Sequence, residues 1–191
     1  MPTLETYRSG DRAALLAIFD GNTPRFFDPH ERELFAAFLD RPRGDFRVLR
    51  DDERTIIGCG GVMVDEDGTA SMVWGMIAPP HQGTGFGWWM ALERLSWIAA
   101  MPEARRVIMD TSQETAGFYV KLGFRTVSVR PDGYGPGLHR HDLEMPVDDA
   151  FRKRFGAGAS GTGATGTGVT GGRLERPFPE ATPPEPRSTH A

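Results

Sequence analysis

Residues 81–87 read HQGTGFG and run straight into WWMALERLSWIAA, so Gly83, Gly85 and Gly87 stand where a helix is about to begin. Glycine is a poor helix former, but it reaches positive φ and lets atoms of another molecule approach the backbone closely. A helix start also presents unpaired N–H groups and the positive end of its dipole. The chemistry of such a stretch is anion binding, above all of phosphate. Two familiar glycine loops fail by spacing. A dinucleotide fingerprint needs a glycine where this chain has Trp88, and a P-loop needs Lys followed by Ser or Thr at the helix start. Cys59, in GCGG, has no histidine in a recognisable relation to it and reads as a small buried strand residue rather than a nucleophile. No metal site is expected.

These residues need elements to position them. Thr3 to Arg8 alternates as a strand, and Ser9 or Asp11 caps the helix in RAALLAIFD. PHERELFAAFLD predicts a second helix with an apolar stripe of Leu34, Phe35, Phe38 and Leu39 after Pro29, leaving GNTPRFFD as the loop between them. DFRVLRD, TIIGCGGVMVD and TASMVWGMIA read as an antiparallel meander, with EDG turning between its last two strands. Beyond the glycine loop, Trp88, Ala91, Leu92, Leu95 and Ala99 share one helical face while Glu93, Arg94 and Ser96 fall elsewhere, which predicts a helix lying on a sheet. RRVIMD then reads as a buried strand, TSQETAGFYVKL as a helix capped by Thr111 or Ser112, and FRTVSVR as a strand. The turn-rich PDGYGPG precedes a final strand, LHRHDLEMPV. This order gives an α/β (α+β) arrangement built onto an antiparallel meander.

The chain has 191 residues and a formal net charge of −4, room for one domain and a tail. From Gly156 to Ala191 the text is poor in apolar residues and rich in glycine, threonine and proline, a composition that predicts disorder. The folded part is expected to end near Phe155, with a domain over 1–150 and a low-complexity tail over 151–191. The acidic balance argues against a nucleic-acid partner, and Arg152, Lys153 and Arg154 read as a solvated helix end or linker. No segment approaches the roughly 20 apolar residues of a membrane span, and MPTLETYRSGDR is no signal peptide. A cytoplasmic protein with no membrane partner is expected, as a monomer or homodimer. The single cysteine allows no internal disulfide, in keeping with a reducing compartment.

Gln82, Gly85 and Gly87 fill the pattern Q/R-x-x-G-x-G/A between a strand and a long helix, and TSQETAGFYVKLGF follows with a tyrosine shortly before a Leu-Gly-Phe turn. Together they resemble the two signatures of the GNAT acyltransferase superfamily. The resemblance covers the folded part and implies a mixed six- to seven-stranded sheet with helices on both faces. It also implies acetyl-CoA as co-substrate, its pyrophosphate cradled by Gln82, Gly83, Thr84, Gly85, Phe86 and Gly87, with Ile77 and Ser112 nearby. Many members carry Arg where this chain has Gln82, so the amides must carry more of the anion binding.

The resemblance further implies direct transfer of the acetyl group to a primary amine. Backbone amides near Met76 and Ile77 would stabilise the charge on the carbonyl oxygen, with Gly75 marking a bulge in that strand. Tyr119 would protonate the leaving thiolate. No carboxylate stands on the strand before the glycine loop, which leaves Asp110, Asp28, His30 and Glu31 as candidate bases, or water. Phe26, Phe27, Trp74 and Tyr134 are candidates to line the acceptor pocket, with Arg25 able to attract an acidic group. The expected activity is N-acetylation of a small molecule or amino acid. The alternatives are a peptide or protein acceptor, which needs an open groove, and an acyl-CoA sensor without turnover.

Overall fold

A computed structural model describes residues 2–156 of the chain. Strand β1 (Thr3–Thr6) leads into helices α1 (Arg12–Asn22) and α2 (Glu31–Asp40), then strands β2 (Asp45–Arg50), β3 (Ile56–Val64) and β4 (Thr69–Ile77). Helix α3 (Phe86–Ala99), strand β5 (Arg106–Ser112), helix α4 (Gln113–Leu122), strands β6 (Arg125–Gly135) and β7 (Leu138–Pro146) and helix α5 (Asp149–Phe155) follow. The seven strands form one mixed sheet in the order β1-β2-β3-β4-β5-β7-β6. Both faces are covered, as expected. Leu15, Phe19 and Phe35 of α1 and α2 pack on one side, while Leu95, Ile98 and Leu122 of α3 and α4 pack on the other.

Two irregularities of the sheet make room for a site. The parallel pairing of β4 with β5 covers only Thr69–Ser71 against Arg106–Ile108, so the remainder of β4 has no partner on that side. On its other side the register shifts between Cys59/Met76 and Gly61/Val73. Strand β4 therefore carries one extra residue at Trp74–Gly75, and Trp74 adopts a φ of 48°. This is a β-bulge, the device that re-aims side chains next to active sites, and it lies where Gly75 suggested it.

Several local expectations are revised. Helix α1 continues through Gly21 and Asn22, which the sequence reading left in a loop. Buried Asn22 donates from Nδ2 to Ile18 O (2.8 Å) and Ile77 O (3.1 Å), so tertiary bonds hold the last turn. Leu34 is exposed while Phe35 and Leu39 are buried. Strand β6 runs on through PDGYG because the ladder absorbs these residues in a register shift between Arg130 and Gly135. There Asp132 Oδ1 accepts from Gly137 N at 2.8 Å. Helix α5 carries the folded chain past residue 150. Its Phe151 and Phe155 are buried in the core, and Asp148 caps it through Oδ1 and Phe151 N at 2.8 Å. Arg152 is no linker residue, for its guanidinium binds the carbonyls of Ala99, Met101 and Ala104 at the end of α3. The tail expected from composition lies outside the described residues.

Candidate active site

A cavity of about 390 Å³ opens where β4 and β5 part, and it runs from the glycine loop to the loop between α1 and α2. At the loop end, Gly83 and Gly85 have φ of 74° and 94°, and a Cβ at either would meet only open space. Gly85 is the N-cap of α3 and no side chain caps the helix. The first N–H of the helix to bond is that of Trp89, which donates to Gly85 O, leaving the earlier N–H groups unpaired. A concave, uncapped helix start fits a pyrophosphate. Among the expected loop residues, Gln82, Gly83, Gly85 and Gly87 line the cavity, whereas Thr84 and Phe86 do not. Thr84 Oγ1 donates to His81 O (2.6 Å), and Phe86 packs in the cluster around Leu49, Ile57 and Met90. Gln82 spends its amide Nε2 on Asn22 Oδ1 (2.8 Å) and Ile77 O (3.1 Å). It braces the loop rather than offering that donor to a ligand.

At the centre stand Met76, Ile77, Ser112 and Tyr119, all on the cavity wall. Ala78 N donates to Ile57 O, so the alternation of strand donors turns the Met76 N–H toward β3 and the Ile77 N–H into the gap. Ile77 therefore turns an unpaired backbone donor into the cavity, whereas Met76 contributes its side chain to the wall. Ser112 Oγ is buried without a hydrogen-bond partner. Tyr119 is 9% exposed, its ring set edge-on between Phe118 (4.8 Å) and Phe124 (5.8 Å).

The far end is built from side chains of distant segments. Phe26 and Phe27 come from the loop after α1, Glu31 from the start of α2, Trp74 from the bulge, Asp110 from β5 and Tyr134 from β6. Phe27 and Trp74 lie 6.3 Å apart, centroid to centroid, and form an aromatic wall. Tyr134 Oη donates to Asp110 Oδ2 at 2.6 Å, and Arg140 stands 3.5 Å from the other oxygen. Burial raises the Asp110 carboxyl against the pull of Arg140. Burial likewise pushes Glu31 up to about 7, opposed by the Asp28 N–H that its carboxylate accepts at 2.8 Å. His30 is not part of this group, because its side chain is 98% exposed and turned to Asp28 on the surface. Arg25 pairs with Glu114 on the outside. Cys59 is fully buried, and burial pushes its thiol up, away from the thiolate.

Sequence reading missed Arg94, assigned to the open side of α3 while Trp88 was assigned inward. The reverse holds: Trp88 is 39% exposed and Arg94 is 1% exposed, the largest fully buried side chain among the described residues. Amphipathic periodicity places charges outward by default, and here that rule fails because the bulge leaves carbonyls to be satisfied. Arg94 Nε and Nη2 bond Gly61 O (3.1 and 2.8 Å), and Nη2 also bonds Val73 O (3.0 Å). The signal in the sequence was the glycine at positions 60 and 75, which vacates volume opposite one helical arginine.

Comparison with known proteins agrees with this architecture. The chain matches the acetyltransferase (GNAT) family over residues 15–124, and it belongs to that family, whose members are acyltransferases using acetyl-CoA. No curated protein matches it. Among solved structures it is similar to a GNAT-family acetyltransferase from Desulfovibrio desulfuricans, at 19% identity and a TM-score of 0.64, covering 78% of this chain and 100% of that one. The ribosomal-protein-S18-alanine N-acetyltransferase of Escherichia coli matches at 16% identity and 0.65, over 77% and 94%. Spermidine N-acetyltransferase from Vibrio cholerae, solved with CoA and spermine, matches at 16% and 0.60, over 76% and 95%. At such identities the likeness is one of fold.

Proposed function

We propose that this enzyme transfers the acetyl group of acetyl-CoA to the primary amine of a small molecule or amino acid. The observation that carries the reading is the acceptor end of the cavity, where two carboxylates, the buried Glu31 and the part-buried Asp110, share an aromatic-walled space with Tyr134. An amine arrives as an ammonium. It needs a negative group to receive it and a base to take one proton before the nitrogen lone pair can attack. Glu31, titrating near 7, suits the base. Asp110, held by Tyr134 and Arg140, suits charge recognition. Ile77 N–H would receive the developing oxyanion, and Tyr119 would return a proton to the departing sulfur.

A small acceptor is favoured over a peptide because the α1–α2 loop meets the end of β6 at the entrance. The Asp28 carboxylate packs so closely on Gly135 that a Cβ there would clash with its Oδ2. That contact ties the α1–α2 loop to β6 across the cleft a peptide would need. No helix among the described residues is long and apolar enough to cross a membrane, and the reading sets the enzyme in the cytoplasm as a monomer or homodimer. The test is release of free coenzyme A thiol across a panel of small amines, polyamines, amino acids, aminoglycosides and peptides. Turnover with a small cationic amine is expected. Turnover with peptides alone would overturn the acceptor class, and acetyl-CoA binding without turnover on any amine would leave a sensor.

A further inference from the structure

Arg94 is a cation buried to 1% exposure, and burial lowers its affinity for the proton. Such a charge is costly unless paired, yet no carboxylate is paired with it among the described residues. The groups that favour its charge are Tyr119 and Cys59, and the Cys59 thiol is held neutral by burial. Carbonyl satisfaction accounts for part of the arrangement, since Nε and Nη2 bond Gly61 O and Val73 O. It leaves Nη1 unexplained. A guanidinium has two further N–H donors there, and they face the catalytic centre. A Cβ on Gly75 would stand 2.5 Å from Nη1 and 3.6 Å from Tyr119 Oη. The guanidinium and the phenol thus flank the space that glycine leaves empty, directly under the bulge, and a side-chain hydrogen bond with Tyr119 is among the interactions that favour the guanidinium's charge.

We infer that Arg94 is a positioning residue for acetyl transfer: it fixes the Tyr119 hydroxyl and offsets the charge left on the phenol oxygen as its proton departs. The inference rests on the proposed transfer reaction. In that reaction the amine nitrogen bonds to the thioester carbon and the carbon–sulfur bond breaks. The Tyr119 proton passes to sulfur to give the free thiol, and the proton lost by the amine restores the phenol through solvent. During the interval the phenol oxygen is an anion in a buried setting. A fixed cation beside it lowers the cost of forming that anion without reorganisation.

A purely structural Arg94 and an Arg94 acting through Tyr119 separate in a double-mutant cycle. Arg94→Gln keeps a donor near the Nε position for Gly61 O but removes the charge, whereas Arg94→Lys keeps the charge. With saturating acetyl-CoA, Arg94→Gln is expected to lower kcat by about 10- to 100-fold and Arg94→Lys by only a few-fold, the range of an impaired general acid. Donor affinity should hold. In the Tyr119→Phe background, Arg94→Gln should change kcat by less than about twofold, since the group it serves is gone. Equal losses in both backgrounds, or Arg94→Gln within about threefold of wild type, would overturn the inference. The same cycle in thermal unfolding reads the contact without turnover, and additive melting shifts would overturn the pairing. Wild-type protein that releases no coenzyme A with any amine would overturn the transfer reading and the charge-offset role with it. A non-additive melting cycle would then still place guanidinium and hydroxyl in contact.

Discussion

The two ends of the cavity are made of different material. The donor end is backbone: an uncapped helix start, two glycines at positive φ and a strand amide turned into a gap. The acceptor end is side chain: aromatic rings and carboxylates brought from α2, β4, β5, β6 and the loop after α1. A backbone site recognises what every acetyl-CoA shares and constrains the local sequence tightly, because only glycine fits. A side-chain site recognises what differs between acceptors, and its residues need only converge in space. One half of the site is therefore fixed by the reaction while the other is free to vary.

The largest effect should fall where the two ends join. Tyr119→Phe keeps the ring packed between Phe118 and Phe124 and is expected to reduce turnover by about 10² to 10⁴ with donor affinity unchanged. Single-turnover rates within about threefold of wild type would make Tyr119 a packing residue. Gly85→Val tests the donor end alone. A β-branched residue at φ 94° is strained, and its side chain would fill the space left open for the phosphate. Acetyl-CoA affinity should fall on the order of 10²-fold by calorimetry, with amine binding intact. Wild-type affinity in the folded variant would move the pyrophosphate elsewhere.

Glu31→Gln tests the acceptor end. For the wild type, kcat/KM for the amine should rise as pH passes through about 7, where Glu31 ionises, and the variant should lose about 10-fold or more together with that inflection. Stability carries the opposite sign. A carboxyl raised from 4.5 to about 7 by folding binds more protons folded than unfolded, so wild-type stability falls as pH rises through that window. The cost at pH 8 is roughly 3 kcal/mol at most. Glu31→Gln should melt higher than wild type at pH 8, with the advantage gone below pH 4.5. A variant of equal melting temperature at both pH values would mean that Glu31 is not strained by burial. The smallest effect should come from ending the chain after Gly156, which removes none of the described residues that line the site. Melting temperature and turnover should both stay near wild type, and a loss of several degrees would show that residues 157–191 pack.

This division also explains what could be read in the chain beforehand. Gly83, Gly85 and Gly87, the strand before them and the tyrosine after β5 sit in contiguous motifs, so the donor end and the order of strands were legible. Glu31 and Tyr134 are brought together only by the sheet, and nothing in PHERELF or PDGYGPG announces their meeting. His30 and Glu31 are neighbours in sequence, yet the start of α2 sends one outward and the other into the cavity. Arg94 was misplaced for a related reason. Helical periodicity sees a charge and assigns it to water, whereas the bulge at Trp74–Gly75, a feature of the opposing strand, sets its actual environment.

Helix α3 links the site to the end of the described chain. Its first residue lies at the glycine loop, and its C-terminal end is gripped by Arg152 through the carbonyl of Ala99 and, just beyond the helix, those of Met101 and Ala104. A helix of 14 residues spans roughly 20 Å, so Gly156, packed near Ala99 at the far end of the helix, stands about that far from the glycine loop and is fastened to the same rigid rod. A fluorophore placed at Gly156 itself would thus sit at a fixed lever distance from the glycine loop. It would report on the motion of α3 as a body while leaving the mouth of the cavity unobstructed.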